Sequence, residues 1–302
     1  MNFDNKLNFT FLTEEQSFGE RSLDILKKYG TTCDITDFSV LLGGFPYAKG
    51  FHNGEGIFKK DQVGYWWTKS CNENNLVVAI DSFGFMDFID SFYRRVGSRP
   101  ALPYSSISSI CSNIAINKEG ILEVEYGEYP QTIVSRNDEA ILENAYLNKT
   151  INQTSKSYTS DFGRYLGLHA PFQVMTHIEY EYNGKKYIRL VGDKENTFNT
   201  LSNGVPIQDD YTYWIEVEPI KWMVDEKANI ALSKKILFTG VLYDKENNCK
   251  GDFSKTNIKK FLDTYFSKEI VPINSKELIL QEKNLEEGQK KLKKIRKPYG
   301  LI

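Results

Sequence analysis

The residues best suited to chemistry or recognition are concentrated between Phe83 and Arg95, where the sequence reads FGFMDFIDSFYRR. A core strand would not interleave so many charges with phenylalanines, and a free loop would expose them at a cost. Aromatic groups supply contact area at low entropic cost and short polar groups adapt to a partner, so this composition predicts a binding surface. The alternative is a partly buried, irregular strand and loop. The expected ligand contacts are Phe83, Phe85, Asp87, Phe88, Asp90, Ser91, Phe92 and Tyr93, with Tyr47 and His52 from an aromatic loop.

Catalytic constellations are hard to assemble from this sequence. The four cysteines, Cys33, Cys71, Cys111 and Cys249, contain no CxxC pair, which favours reduced thiols over a disulfide framework. The three histidines, His52, His169 and His177, could form a dyad or a metal triad only if the fold brought them together. Neither GxxxxGK[ST] nor GxGxxG occurs, so no phosphate-binding loop is indicated.

Two acidic pairs could contribute to a calcium site. These are Asp87 with Asp90, and Asp209 with Asp210. Calcium requires about six to eight oxygen ligands, and no convincing cage is visible in the sequence. We therefore expect no metal and no cofactor.

Composition and charge restrict the class of protein. The chain has 302 residues and a formal net charge of -2, so no overall field favours nucleic acid or an anionic membrane. Only the stretch 290–297, KKLKKIRK, is locally basic. No secretory signal pattern and no run of about 18 apolar residues is present, so the expected location is the cytoplasm, with neither nucleic acid nor membrane as partner.

Short strands and dispersed helices must position these residues. Thr13 with Gln16 forms a capping-box signature, which predicts one helix ending at Gly30. Strands are predicted in YWWTKS, NLVVAIDS, RPALPYSSI and ILEVEYGEYPQTIVS, the last of them broken by Gly127 and Pro130.

The second half of the chain has clearer patterns. Asn183-Gly184 predicts a hairpin, and a second strand pair turns at 225–228. Helices are predicted in DEAILENAYLN, with Ile141, Leu142, Ala145 and Tyr146 on one face, and in TNIKKFLDTYFSKEI, with Ile258, Phe261, Leu262 and Tyr265 on one face. The absence of regular βαβ alternation indicates an α+β fold class.

Two separated regions resemble one bacterial family. YGEYPQ, EPIKWMVDEKANIALSKKILF and NIKKFLDTYF look like the opening half of a widespread uncharacterised domain, and GYWWTKS with VGSRPALPY looks like its closing half. That domain is similar to the formylglycine-generating enzymes, which have a C-type-lectin-like fold. The resemblance implies mixed or antiparallel sheets with a few flanking helices. The cysteine pair that those enzymes use cannot be placed here.

The two halves stand in the opposite order in this chain, which suggests a circular permutation. The predicted organisation is a helical segment at 1–30, one lectin-like recognition domain at 31–272 composed of permuted halves 31–119 and 120–272, and a charged helix or linker at 273–302. Two half-domains contributed by different chains are the alternative. In this interpretation Trp66, Trp67, Arg99 and Pro100 belong to the scaffold, with Arg99 either ion-paired there or reaching a ligand.

Closer still, TDFSVLLGG, GYWWTK and RPALPYSSI resemble gut-bacterial proteins in which the region between the last two motifs differs between copies. Some of those continue after a K-PYG junction into a MoxR-type AAA ATPase, which the resemblance implies as a partner. A related lectin-like group comprises the variable proteins of diversity-generating retroelements. Codons altered at template adenines can encode Phe, Asp and Ser but not Trp, which is compatible with a variable 83–93 segment.

These observations predict a non-catalytic recognition domain that binds a protein partner, such as the diversified sensor of a bacterial defence system. A sugar ligand is less favoured, because sugar sites in such folds usually depend on calcium. One alternative is an oxidoreductase of the formylglycine-generating kind. Another is a phage or mobile-element protein that inhibits host machinery. The identity of the ligand, the oligomeric state and any continuation beyond residue 302 are not encoded in a recognisable pattern.

Overall fold

The computed structural model describes residues 7–48, 62–160, 175–197, 199–246 and 252–270. The helices are α1 (Glu14–Ser17), α2 (Asp24–Tyr29), α3 (Asp37–Leu41), α4 (Arg136–Leu147), α5 (Asn257–Phe261) and α6 (Ser267–Ile270). The strands are β1 (Cys33–Asp34), β2 (Tyr47–Ala48), β3 (Gln62–Gly64), β4 (Trp66–Cys71), β5 (Val77–Ile80), β6 (Met86–Ile89), β7 (Ala101–Pro103), β8 (Ser112–Ile116), β9 (Leu122–Ile133), β10 (Asn152–Ser160), β11 (Met175–Tyr182), β12 (Lys185–Val191), β13 (Thr212–Asp225) and β14 (Ile230–Ser233). This is an α+β fold with mainly antiparallel sheets, as predicted.

Three sheets organise the described residues. The large sheet has the order β10-β11-β12-β13-β14-β7, with β9 also paired to β13 and β8 paired to β9. Two three-stranded sheets have the orders β1-β3-β2 and β4-β5-β6. The second of these, called the small sheet below, carries the aromatic and acidic segment.

The hairpin predicted from Asn183-Gly184 is confirmed. Tyr182 pairs with Lys185, and Asn183 and Gly184 both have positive φ, at 51° and 76°. A type I′ turn requires positive φ at both central positions, which Asn and Gly tolerate best. The predicted strand pair β13–β14 is also confirmed, with the backbone N–H of Ala228 donating to the Asp225 carboxylate at 3.1 Å.

The N-terminal helix prediction was half right. Thr13 and Gln16 do form the expected capping box at the start of α1. The helix ends at Ser17, however, because Gly19 adopts φ 80°, and a second helix α2 begins at Asp24. The single predicted helix is therefore two short ones, and the second ends before Gly30 as expected.

Two predicted helix faces need correction. In α4, Leu142 and Ala145 are buried, but Ile141 is 49% exposed. In the C-terminal helix a π-helical turn over 262–266 separates α5 from α6. A π turn changes the angular spacing of side chains, and Tyr265 is 38% exposed although it fitted the apolar stripe.

Residues from both predicted halves are joined by direct backbone pairing. The short strand β7 pairs with β14, the N–H of Ser98 donates to the Phe238 carbonyl at 2.8 Å, and Ile35 forms a parallel bridge with Ile236. Between these contacts the backbone of Gly97 is so tightly enclosed that a Cβ there would lie 2.2 Å from Cγ2 of Ile236. No side chain larger than hydrogen fits at this position.

One buried apolar cluster runs through the described part of the chain. It includes Phe9 and Phe11 from the N-terminal segment, both Trp66 and Trp67, and Ile270 at the end of α6. The N-terminal segment therefore contributes to the same core as the two predicted halves. No helix among the described residues is both long enough and apolar enough to cross a membrane.

Several titratable side chains are buried between β10, β11 and α6. The Tyr158 hydroxyl donates to the Glu179 carboxylate at 2.7 Å, and Nε2 of His177 lies 3.1 Å from Oγ of Ser160. Burial lowers the pKa of His177 to about 4. His177 is thus a buried residue of strand β11.

Glu269 is a buried carboxylic acid in the same group of side chains. One carboxylate oxygen accepts the backbone N–H of Thr159, whereas Oε2 has no hydrogen-bond partner among the described residues. Burial raises the pKa of Glu269 to about 7, and the bond from Thr159 only partly offsets this rise.

We predict that Glu269→Gln flattens the pH dependence of unfolding. As pH rises from about 4.5 to about 7, the unfolded chain loses the Glu269 proton while the folded chain keeps it, so the free energy of unfolding falls. The slope from this one group is at most about 1.4 kcal/mol per pH unit. Urea unfolding at pH 5, 6, 7 and 8 should show the variant gaining stability over the native chain as pH rises. The exposed control Glu181→Gln should keep the native slope, and a parallel slope in Glu269→Gln would refute the assignment.

Candidate functional site

The β5–β6 hairpin presents the first half of the aromatic segment. Its turn is closed by the buried carboxylate of Asp81, which accepts the backbone N–H groups of Phe83 and Phe85, both at 2.8 Å. The turn is also tied to the N-terminal part of the chain, because the Thr31 hydroxyl donates to the Gly84 carbonyl at 2.7 Å. The base of this segment is therefore rigidly positioned.

The second half of the segment turns back immediately after β6. The Asp90 carboxylate accepts the N–H of Phe92 at 2.9 Å, and the Asp90 carbonyl accepts the N–H of Tyr93 at 2.9 Å. Ser91 points inward: it is fully buried, and its hydroxyl donates to the Asp244 carbonyl at 2.8 Å. Ser91 was predicted to contact a ligand, but its side chain does not reach the surface because it anchors this turn to 243–244.

The remaining aromatic residues divide by exposure. Phe85, Phe88 and Tyr93 are 59%, 47% and 39% exposed, whereas Phe83 and Phe92 are half-buried. Phe85 keeps one neighbour, since its ring lies edge-on to Phe18 with centroids 6.4 Å apart. The structure thus brings exposed aromatic rings together with Asp87 and Asp90, in and beside the edge strand β6.

A shallow pocket of about 340 Å³ lies beside β6. We call it the β6 pocket; its lining residues are Phe45, Tyr65, Asp87, Phe88, Ile89, Asp90, Tyr93, Arg95 and Val96. Within it the guanidinium of Arg95 stacks 4.5 Å from the centroid of the Phe45 ring and donates to the Gly43 carbonyl at 3.4 Å. Sequence reasoning did not include Phe45, Tyr65 and Arg95 among the ligand contacts: the aromatic stretch after residue 44 hinted at Phe45, the segment singled out ended at Arg95, and no local pattern marked Tyr65.

The pocket is electronegative on its β6 side. Asp87 accepts the N–H of Phe88 at 2.8 Å, and no described Lys or Arg lies within ion-pair distance of Asp87 or Asp90. Burial, together with the neighbouring charges of Asp81 and Asp87, raises the pKa of Tyr65 to about 12. Tyr65 therefore remains a neutral phenol at physiological pH.

The predicted scaffold residues are buried. Trp66 and Trp67 are fully buried, and the Trp66 indole N–H donates to the Thr31 carbonyl at 3.0 Å. Arg99 is also fully buried, stacked 5.0 Å from Trp66 and donating from Nε to the Ser233 carbonyl at 2.9 Å. Its two terminal nitrogens have no partner among the described residues, so the expected ion pair is absent there. The Pro100 carbonyl accepts the N–H of Ser233 at 2.8 Å.

Two further predicted contacts are not placed in the pocket. Tyr47 lies in β2, paired with Val63 in another sheet, and the structure describes its backbone only. His52 lies outside the described residues. Among the residues that are described, no group of three or more His, Cys, Asp or Glu side chains is arranged to hold a metal ion.

The cysteines only partly match the expectation of reduced thiols. Cys33 and Cys111 are free and buried, and burial raises the pKa of each thiol to about 11. Such thiols are poor nucleophiles at neutral pH. Cys71, at the end of β4, is disulfide-bonded, contrary to the expectation, and its partner lies outside the described residues.

We predict that truncation of Phe88 destabilises the fold less than truncation of Ser91, three positions away. Phe88→Ala removes a half-exposed ring and should change the free energy of unfolding by less than about 0.5 kcal/mol. Ser91→Ala removes a buried hydroxyl donor and should cost about 1 kcal/mol. Urea titration of both variants checks this, and a larger loss for Phe88→Ala than for Ser91→Ala would mean that Phe88 is part of the core.

Comparison with known proteins does not add an assignment to this geometry. No protein-family model, no curated protein and no solved structure matches the chain.

Proposed function

We propose that this chain is a non-catalytic recognition domain that binds a protein partner through the β6 pocket and its aromatic rim. The observation that carries the proposal is the exposure of Phe85, Phe88 and Tyr93 within nine residues, in and beside the edge strand β6. Solvent-exposed rings cost free energy unless a partner covers them, and clustered aromatic side chains are typical of binding hot spots.

The rigidity of the underlying scaffold supports the same function. The segment is held at its turn by Asp81 and after β6 by Ser91, and strand β4 of the same sheet contains the fully buried Trp66 and Trp67. A surface held in this way loses little conformational entropy when a partner binds. Side chains at its tips could also change without disturbing the core, which suits the variable segment that the sequence resemblance implies.

The finer architecture is part of the proposal. We propose a C-type-lectin-like arrangement produced by circular permutation, located in the cytoplasm. The pairing of β7 with β14, and of Ser98 with Phe238, supports joining the two sequence halves within one chain. Diversification by a retroelement and association with a MoxR-type ATPase remain predictions. Sequences of related copies would test the first of these by showing whether differences concentrate at 83–93.

The function is tested by photo-crosslinking from the pocket rim. We expect a full-length chain carrying benzoylphenylalanine at position 88, incubated with lysate of the encoding organism, to crosslink one protein. The same probe at Ile141, 49% exposed on α4, should not capture that protein. The captured protein is then purified and its affinity for the native chain is measured directly.

The matched variants decide the outcome. Phe88→Ala should weaken binding of the purified partner at least about tenfold, as expected for loss of a hot-spot ring. Ile141→Ala removes a similarly exposed apolar side chain elsewhere and should leave the affinity unchanged. Equal affinities for the two variants would refute recognition through the β6 pocket.

One observation favours the oxidoreductase alternative. The disulfide at Cys71 means that two cysteines are adjacent in the folded chain, as an enzyme with a redox-active cysteine pair requires. Cys71 does not line the β6 pocket, and the free thiols Cys33 and Cys111 are buried with raised pKa values. The recognition function is therefore better supported.

We predict that Cys71→Ala leaves partner affinity within about twofold of the native value, since the side chain lies outside the pocket. Alkylation of the denatured native chain without reductant should modify two of its four cysteines, because one disulfide occupies the others. A loss of binding above about tenfold in Cys71→Ala, with its fold intact by circular dichroism, would support the oxidoreductase.

A further inference from the structure

The β6 pocket combines aromatic walls with uncompensated negative charge. The rings of Tyr65, Phe88 and Tyr93 line it, with Ile89 and Val96 as apolar neighbours. Aromatic faces carry partial negative charge and attract cations placed over them. The walls are thus suited to an apolar stem that ends in a positive group.

The carboxylates of the pocket have no cationic partner in the described part of the chain. One oxygen of Asp87 accepts the backbone N–H of Phe88 within β6 at 2.8 Å, and one oxygen of Asp90 accepts the backbone N–H of Phe92 at 2.9 Å. Nothing described in this chain ion-pairs with either of them, and their second oxygens remain available. The other charged lining residue is Arg95, whose guanidinium is stacked on Phe45. The lining thus contains two carboxylates and one guanidinium, which gives it a formal charge of -1.

We propose that the protein partner inserts a lysine or arginine side chain into the β6 pocket. This inference rests on the proposed function and specifies the chemistry that the site recognises. The aliphatic stem of the inserted residue packs between Phe88 and Tyr93, and its cationic head meets Asp87 and Asp90. Charge complementarity selects this occupant over an anionic side chain, which the carboxylates repel.

Neutral occupants fit the same pocket less well. An apolar side chain would cover Asp87 and Asp90 without pairing them, and burial of an unpaired charge is costly. A sugar could stack on the rings and bond to the carboxylates, but it would leave both negative charges uncompensated. These two occupants predict different results in the experiment below.

The test uses small probes on the full chain. Saturation-transfer NMR measures the affinities of Nα-acetyl-arginine methylamide and Nα-acetyl-lysine methylamide. Nα-acetyl-norleucine methylamide serves as the neutral probe and methyl glucoside as the sugar probe. We expect the cationic probes to bind about tenfold more tightly than norleucine, with an affinity that falls as salt increases. Tighter binding of norleucine or methyl glucoside than of the cations would overturn the proposal.

Matched variants assign the effect to the carboxylates. Asp87→Asn with Asp90→Asn retains an oxygen for each backbone bond and should reduce the cationic preference to about twofold or less. Glu20→Gln with Glu73→Gln removes the same net charge from exposed positions outside the pocket and should preserve the preference. Unchanged affinity in the Asn variant would overturn the proposal.

The crosslinked partner separates this inference from the function on which it rests. If Phe88→Ala abolishes partner binding but the Asp87/Asp90 double variant does not, recognition stands and the cationic occupant is wrong. If Phe88→Ala leaves partner binding intact, the proposed function itself is wrong. A coupled loss in both variants supports the function and the occupant together.

Discussion

The close approach of the backbone at Gly97 is the constraint on which the proposed recognition surface depends. The N–H of Gly97 donates to the Tyr65 carbonyl at 2.7 Å, and its own carbonyl accepts the N–H of Trp67 at 3.0 Å. On its other side Ile236 leaves no room for a Cβ. The residue thereby joins the small sheet to a segment nearly 140 positions later in the chain, and the ends of the aromatic segment are held in register with the core.

The segment around Gly97 contains buried residues that stabilise the fold and exposed residues that face solvent. Trp66 and Trp67, in strand β4 of the small sheet, and Arg99 are fully buried. Phe85 and Phe88 are largely exposed and contribute little to the core. Stability and the proposed recognition therefore depend on different side chains, which lets one change without the other.

The acidic residues of the segment have two roles for the same reason. Asp81 is buried, and its carboxylate is used by backbone N–H groups of the turn. Asp87 and Asp90 also each accept a backbone N–H with one oxygen, but Asp87 is only half-buried and Asp90 is exposed. Chemically identical side chains thus become structural or available according to how deeply the fold buries them.

Sequence by itself determined the features that depend on a few neighbouring residues. The Asn183-Gly184 hairpin, the Thr13 capping box and the α+β class follow from local backbone preferences and side-chain periodicity, and all three are present. The placement of Trp66 and Trp67 in the scaffold was likewise predictable, because large aromatic rings next to strands rich in β-branched residues are seldom left exposed.

Only the tertiary structure decided which members of the aromatic segment reach solvent. Ser91 is buried, with its hydroxyl bonded to the Asp244 carbonyl 153 positions away. Arg99 is enclosed by Trp66 and Ser233 and has, among the residues that the structure describes, no acidic partner of the kind that its charge suggested. Tyr65, Phe45 and Arg95 became part of the pocket for the same reason. Burial is set by contacts between distant parts of the chain, and periodicity within a dozen residues carries no information about them.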